Sequence, residues 1–509
     1  MSSPARWGDP ADAVALPDEV RDLLTSALGV RGTRPAADRQ MLPPVRLPAR
    51  VIDAFREAGT DADTSADARL AHAAGKSTED LLRLRAGDAA DAPDAVLRPA
   101  GPDAVAAVLR VATTHRVAVV PFGGGTSVVG GLRAVRDGFT GVVALDLARL
   151  DALVGVDPVS RTAILQAGVR GPRAEELLAG EGFTLGHFPQ SFRYATLGGF
   201  AATRSSGQAS AGYGRFDDMV LGLRAATPTG DLEIGRAPRS AAGPDLRQLL
   251  LGSEGAFGVI TELTLRVRPR PRTRSYTGWS FPTFETGSRA LRALAQDGPL
   301  PTVLRLSDET ETAVGGGSGC LAIIGLEDAP DAGVDARLRE YGGTPLGEEP
   351  GKAWLDGRYR APYLRDALLD AGALAETLET ATFWHRLPQT YAAVRDALIG
   401  TLTGLGTPPL VLCHISHVYA AGASLYFTVV TAQTDDPVAQ WRAAKAAAAD
   451  AILASGATIT HHHGVGTDHG PWYLREIGPV GAAMLRAVKD AVDPAGILNP
   501  GVLLPQTGQ

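Results

Sequence analysis

Residues 121–131 read Pro121-Phe122-Gly123-Gly124-Gly125-Thr126-Ser127-Val128-Val129-Gly130-Gly131, directly after the apolar run 117–120. Successive glycines let the backbone bend so that several N–H groups face one anion, and they remove side chains that would keep a phosphate away. No Lys-Ser/Thr pair follows the glycines, so this is not a Walker loop, and the spacing differs from the Gly-x-Gly-x-x-Gly of a Rossmann unit. Taken alone it serves equally well as a tight turn. Two further clusters follow, at 196–207 (Thr196-Leu197-Gly198-Gly199-Phe200-Ala201-Ala202-Thr203-Arg204-Ser205-Ser206-Gly207) and at 252–262 (Gly252-Ser253-Glu254-Gly255-Ala256-Phe257-Gly258-Val259-Ile260-Thr261-Glu262). Each separately reads as a loop between strands. Together, ahead of a second α/β region, they point to a bound dinucleotide, whose pyrophosphate needs convergent N–H donors.

Around the first cluster the pattern is that of an α/β unit. Pro102 opens a helix over 102–115, and a strand follows and stops at Gly123. Strands are expected at 142–146, 153–157 and 162–168, the last two joined by the turn Asp157-Pro158-Val159-Ser160. A hairpin turns at 227–230, and the strand-rich region closes with 258–267. The proline-arginine stretch 268–274 marks a boundary. Beyond it, strands at 302–306, 321–324 and 425–430 alternate with helices. The helix 437–455 is capped by Asp435 or Asp436, has Pro437 in its first turn and stops at Gly456. The first ~95 residues, which carry Pro35, Pro43, Pro44 and Pro48, read as a helical lead-in.

At 509 residues, 45% apolar and 21% charged, the chain is long enough for two or more cores. A net charge of -7 without a basic run argues against a nucleic-acid partner. Cys320 and Cys413 are the only thiols. The opening residues lack the charged-then-apolar pattern of an export signal, so a reducing cytoplasm is the expected home. No run of about 20 apolar residues is uninterrupted, which leaves at most a peripheral membrane contact.

Six of the ten histidines fall between His414 and His469. The densest stretch is Thr460-His461-His462-His463-Gly464-Val465-Gly466. If it is extended, His461 and His463 point one way and His462 the other, so the three do not readily share one metal, and no metal site is assigned. An imidazole titrating near pH 6.5 suits proton exchange. Tyr426, in Ser424-Leu425-Tyr426-Phe427, is a half-buried strand tyrosine or a proton-transfer group. As a base it needs a nearby cation or imidazole to lower its pKa, which His462 and the arginines could supply.

The first glycine cluster resembles the pyrophosphate loop of the vanillyl-alcohol-oxidase superfamily, and within it the alkyldihydroxyacetonephosphate synthase family. The likeness continues through Pro189-Gln190-Ser191, Thr196 to Gly199, Thr203 to Gly207, and the third cluster, covering residues ~100–505. The resemblance implies an α+β fold. A PCMH-type FAD-binding domain of two α/β subdomains (96–270) would follow the lead-in (1–95). A cap or substrate domain with an antiparallel sheet flanked by helices (271–455) would come next, and then a C-terminal segment that completes the site and packs on the FAD domain (456–509). FAD would be held without a covalent bond, since the loop offers Thr126 and Ser127 where covalent members have histidine or cysteine. The holding residues would be Pro121 to Val128, Gln190, Ser191, Thr196, Gly198, Gly199, Thr203, Arg204, Ser205, Ser206, Glu254, Gly255, Gly258, Val259 and Ile260.

By the same resemblance His462 is the proton-transfer residue, supported by His461 and His463, and Tyr426 matches the family's catalytic tyrosine. Arg365, in Pro362-Tyr363-Leu364-Arg365-Asp366, matches its substrate-binding arginine, and Arg305 matches another arginine the family needs. Either arginine could instead be an ordinary ion pair. The implied reaction exchanges the acyl group of acyl-dihydroxyacetone phosphate for a long-chain alcohol, without net redox change. The substrate is lipid-like and bears a phosphate, and a homodimer is the expected assembly. The chain departs from the family's pattern at Thr467-Asp468-His469, and at His414 and His417. These departures keep a second reading open: an FAD-dependent 2-hydroxy-acid dehydrogenase or oxidase acting on D-lactate, glycolate or D-2-hydroxyglutarate. Its substrate would be a carboxylate, and its relatives hold a divalent metal with histidines in comparable places.

Overall fold

The structure is a computed structural model that describes residues 4–328 and 333–505. Among the described residues three larger sheets carry it, beside a two-stranded pair of Phe183–Thr184 with Arg268–Pro269. In the first, Gly141–Asp146 lies between Ala95–Pro99 and Val117–Phe122, parallel to both. The helix Pro102–His115 makes the crossover, with proline in its first turn, and Val105, Val108, Leu109 and Ala112 are buried beneath it. Parallel strands covered by a helix bury both faces, which is why 142–145 is unbroken Val-Val-Ala-Leu. The strand Thr60–Asp63 adds antiparallel to Ala95–Pro99. The lead-in is therefore not purely helical but supplies a strand to this sheet.

The second sheet is antiparallel, in the order Leu153–Asp157, Thr162–Gln166, Val259–Arg266, Val220–Thr227, Gly230–Ile234. Its hairpin turns at 227–230 as the sequence suggested. The third has seven antiparallel strands, in the order Thr344–Gly347, Arg274–Phe281, Cys320–Glu327, Val303–Ser307, Leu410–Ile415, Gly422–Ala432, Ala373–Phe383. The helices Phe284–Asp297, Leu387–Gly404 and Pro437–Ala454 pack on it through Leu291, Leu294, Val394, Leu398, Trp441 and Ala444. Asp436 caps the last of these, its side chain accepting from the N–H of Ala439. An α+β chain whose last sheet is antiparallel and flanked by helices is what the sequence implied.

Two connections bring distant segments to one place. The tail returns to the first sheet, where Val119 donates to the Ile497 carbonyl and accepts from the N–H of Asn499. The segment 75–80 wedges between the glycine loop and the cap, and the N–H of Lys76 donates to the Ser127 carbonyl at 2.6 Å. Gly75 is required there, because a Cβ would collide with the Ser127 carbonyl. Among the described residues no helix is long and apolar enough to cross a membrane.

Candidate active site

The loop after Val117–Phe122 has the donor chemistry an anion needs. Among the described residues, none of the backbone N–H groups from Gly123 to Gly130 donates to another protein group. Gly125, Val129 and Gly130 are buried. Buried N–H groups without partners are costly, so an unpaired run that holds three buried residues and five half-buried ones calls for a ligand that accepts from it. Gly125 and Gly130 take left-handed φ angles of 68° and 69° to make the bend. The residues present therefore fit the pyrophosphate of a dinucleotide.

Gly124 has a further duty that the sequence did not reveal. A Cβ there would lie 2.7 Å from the Ala195 Cα and hard against the Tyr194 carbonyl. Gly124→Val is accordingly expected to lose the flavin by separating the first glycine cluster from the segment 194–195 as well as by crowding the phosphate. The ratio of flavin absorbance to protein measures this, and normal flavin content would contradict it.

The second and third clusters sit beside this loop with divided duties. Thr196 caps the helix Leu197–Thr203, its hydroxyl accepting from the N–H of Gly199, and the Thr203 hydroxyl donates to the Gly199 carbonyl. The Ser205 hydroxyl meets His187 Nε2 at 3.1 Å, and the Ser206 hydroxyl meets His417 Nδ1 at 3.0 Å. Gln190 accepts from Gln208, and the Ser191 carbonyl accepts from the N–H groups of Tyr194 and Ala195. Gly255 packs its bare Cα on Pro121, Gly258 faces Leu250, and Val259 and Ile260 open a buried strand. Phe122 packs against His72 with the rings tilted at 51°, while Val128 is half-buried.

Two expected flavin ligands are committed elsewhere. The Arg204 guanidinium donates to the Leu251 carbonyl and to Gln248, so it ties the second cluster to the third. The Glu254 carboxylate accepts from the N–H groups of Val465 and Gly466 at 2.8 and 2.7 Å. Its reach across 211 residues closes the histidine stretch onto the flavin domain. Burial lifts the Glu254 carboxyl to about 7 against the pull of those amides.

The histidine stretch is not extended, contrary to the alternation assumed from sequence. The N–H groups of His461, His462 and His463 all converge on Glu379, at 2.6, 3.1 and 2.9 Å, and the Thr460 hydroxyl joins them at 2.6 Å. A carboxylate that collects four donors bends the chain around itself. Burial works against charge at Glu379, but His462, His463 and His461 hold its pKa well below the usual range. His461 and His462 thereby turn to the same side, with their Nδ1 atoms 2.9 Å apart.

Tyr426 stands opposite Glu379 on the neighbouring strand. Its ring stacks on His414 at 4.8 Å and on His462 at 6.1 Å, with His463 edge-on at 5.5 Å. The sequence reading required a lowered phenol pKa. Burial instead pushes it up to about 12, with Thr377 and Arg365 only partly offsetting the effect of enclosure. The imidazoles depart from pH 6.5 as well: burial lowers His462 and takes His463 to about 4, despite Glu379 beside them.

Both arginines are near, and they differ. Arg365, on the helix Ala361–Asp370, gives Nη1 to the Lys76 carbonyl at 2.8 Å, while its Nε and Nη2 are buried without a partner. Arg305 is engaged at one nitrogen. Its Nη2 lies 2.5 Å from Glu311 and 3.0 Å from His414 Nδ1, and Glu311 meets that same nitrogen at 2.9 Å. Arg305 and Glu311 together fix His414, which stacks on Tyr426. Burial opposes charge on Glu311, but His414 and Arg305 hold it at about 2.

Glu379, Glu311, Tyr419 and Lys76 escaped the sequence reading. A Glu-x-x-Glu pair (Glu376 and Glu379) inside an otherwise apolar and threonine-rich strand was the available signal for the first. The ring nitrogens of His417, His461 and His462 lie within 4.8 Å of one another. Both nitrogens of His461 are engaged, by Tyr419 and His462, and His417 Nδ1 is engaged by Ser206 and Ser210. A cation shared with His461 would have to break one of that ring's two bonds.

The buried imidazoles set an acid limit. Burial lowers His187 to about 3 and His469 to about 3, with His463 at about 4. In each case the unfolded chain binds a proton that the folded chain refuses, between the folded pKa and about 6.5. Stability is therefore complete above that window and falls as pH drops through it, by about 1.4 kcal/mol per pH unit for each group. Thermal unfolding should weaken from about pH 6.5 downward, because the three imidazoles outweigh the single Glu254 carboxyl, whose raised pKa acts in the opposite direction. A melting temperature flat between pH 6.5 and 5 would contradict this.

Comparison with known proteins agrees with this geometry. Residues 93–235 match the family model of an FAD binding domain, and residues 270–503 match that of the FAD linked oxidases, C-terminal domain. The chain is 34% identical to an alkyldihydroxyacetonephosphate synthase of Dictyostelium discoideum, over 86% of this chain and 77% of that one. It is 33% identical to the synthase of Trypanosoma brucei brucei, over 93% and 83%. A solved structure of an alkyldihydroxyacetonephosphate synthase superposes with a TM-score of 0.81 at 28% identity, covering 98% of both chains.

Proposed function

Because the chain belongs to the alkyldihydroxyacetonephosphate synthase family of FAD-dependent enzymes, we propose that it exchanges the acyl group of acyl-dihydroxyacetone phosphate for a long-chain alcohol. The products are the alkyl ether and a fatty acid. The carrying observation is Arg365, whose buried Nε and Nη2 have no protein partner. Its charge bears on Tyr426, so a dianion held by that fork sits within reach of the phenol and the imidazoles.

FAD, bound without a covalent link over the 123–130 amides, supplies the electron-accepting ring beside which the exchange takes place. Arg365 binds the phosphate, and Tyr426 and His462 hold and move protons. Glu379 orients the three histidines, while Arg305 and Glu311 steady His414 under the Tyr426 ring. Because burial disfavours ions on both the phenol and the imidazoles, these groups rest uncharged between the ionised Glu379 and Arg365, and pass protons rather than storing them. A homodimer in the cytoplasm completes the reading, and sedimentation of the purified flavoprotein tests the assembly.

Labelled alcohol appearing in alkyl-dihydroxyacetone phosphate is the expected result. Flavin bleaching by D-lactate, glycolate or D-2-hydroxyglutarate under anaerobic conditions, without exchange, would overturn it. Arg365→Ala is expected to raise KM for the acyl phosphate about 10- to 100-fold, the worth of a charged hydrogen-bonded pair. An unchanged KM would remove that arginine from phosphate binding. Acid precipitation that leaves the flavin in the pellet would refute noncovalent binding.

A further inference from the structure

Behind the histidine stretch lies an open surface cavity of about 830 Å³, lined by Phe383, Gly422, Leu453, Gly456, Arg475 and Glu476, with Tyr419 in its wall. No part of the exchange chemistry uses it. Tyr419 Oη lies 2.6 Å from His461 Nε2, and His461 Nδ1 lies 2.9 Å from His462 Nδ1. The four atoms therefore form an unbroken hydrogen-bonded line from the cavity wall to the ring that stacks on Tyr426.

Two imidazole nitrogens at 2.9 Å share one proton, so the tautomers of the two rings are locked together. One setting has Tyr419 O–H donating to His461 Nε2, His461 Nδ1–H donating to His462 Nδ1, and His462 carrying its proton on Nε2. The other setting reverses every donor, and the Tyr419 hydroxyl then turns to water in the cavity. We propose that Tyr419, His461 and His462 are a proton wire linking the reacting centre to this cavity, and that its two settings are the two halves of the exchange.

This rests on the exchange reading above. The alcohol oxygen takes the place of the acyloxy oxygen on C1, and the electron pair of the broken C1–acyloxy bond leaves with the carboxylate. In one half of the proton traffic the alcohol proton goes to His462 Nε2, His462 Nδ1–H passes to His461 Nδ1, His461 Nε2–H to Tyr419 Oη, and Tyr419 O–H to a cavity water. In the other half each hop runs backward: that water returns its proton to Tyr419, and the carboxylate takes His462 Nε2–H and departs as fatty acid. Nothing is oxidised or reduced along the line, and neither ring has to flip. Enclosure favours such a relay, because burial lowers both imidazoles and raises Tyr419 to about 12, so no member traps the charge in transit.

The test compares wild-type holoenzyme with Tyr419→Phe, which keeps the ring and removes only the relay oxygen. Exchange of labelled hexadecanol should fall about tenfold or more in kcat, with KM and flavin spectrum unchanged. The solvent deuterium isotope effect on kcat should rise, and added imidazole should restore part of the rate through the cavity. Wild-type kcat with an unchanged isotope effect would overturn the wire. If the variant fails to retain flavin, the proton inventory of the wild-type enzyme decides: a curved, multi-proton inventory supports the wire, and a linear one overturns it. Absence of exchange by the wild-type enzyme itself sinks the exchange reading instead, and the wire loses its substrates with it.

Discussion

Tyr426→Phe is expected to lower turnover about 10³-fold while the protein keeps both its fold and its flavin. The ring is what packs: it stacks on His414 and His462 and lies on a strand whose neighbours Leu425 and Phe427 are fully buried. Phenylalanine keeps all of that. Only the hydroxyl goes, and with it one proton-transfer group at the centre of the imidazoles. Because burial holds the phenol near 12, it is protonated at every working pH, so the acid limb of the rate profile should belong to the histidines and not to this residue. Steady-state exchange kinetics beside the flavin absorbance spectrum decide the matter, and a variant that turns over normally would remove Tyr426 from the reaction.

The second large effect is expected at a residue that never touches substrate. Glu379→Gln keeps the shape of the side chain but turns one acceptor oxygen into a donor, facing amides that can only donate. Four hydrogen bonds converge on the original carboxylate, from Thr460 and from the backbone of His461, His462 and His463. Losing a buried charged acceptor and leaving donors opposed should cost about 3 kcal/mol of stability. Turnover should fall about 100-fold, because the Nδ1 atoms of His461 and His462 lose the bend that brings them together. Unfolding temperature and kcat are the two measurements. If both stay at wild-type values, the carboxylate does not shape the site.

The flavin side of this protein was readable because its chemistry is local. A run of glycines bends the chain and bares its amides whatever surrounds it, and the strand before it and the helix at 102–115 follow from a short hydrophobic period. The pairing of charges was not readable. Arg305 reads as a free guanidinium until Glu311, six residues on, is seen to hold its Nη2. Arg204 and Glu254 fall among flavin-loop residues but serve to join loops. The titration of Tyr426 and of the histidines is not legible in the sequence for one reason: enclosure moves a pKa as strongly as a neighbouring charge, and enclosure is a property of the whole fold.

What the amino-acid order determined by itself is the set of elements and the backbone chemistry of the glycine loops, since φ/ψ preference, capping and periodicity act over a few residues. It also determined which side chains were available: a tyrosine, three consecutive histidines and an arginine that no local partner claims. Only the tertiary structure decided their use. Glu379 meets His461 across 82 residues, His417 meets Ser206 across 211, and Lys76 hands its carbonyl to Arg365 across 289. Contacts at such separations arise from sheet order and from the return of both chain ends, and a buried group takes its charge, its hydrogen-bond partners and its role from the company that packing imposes.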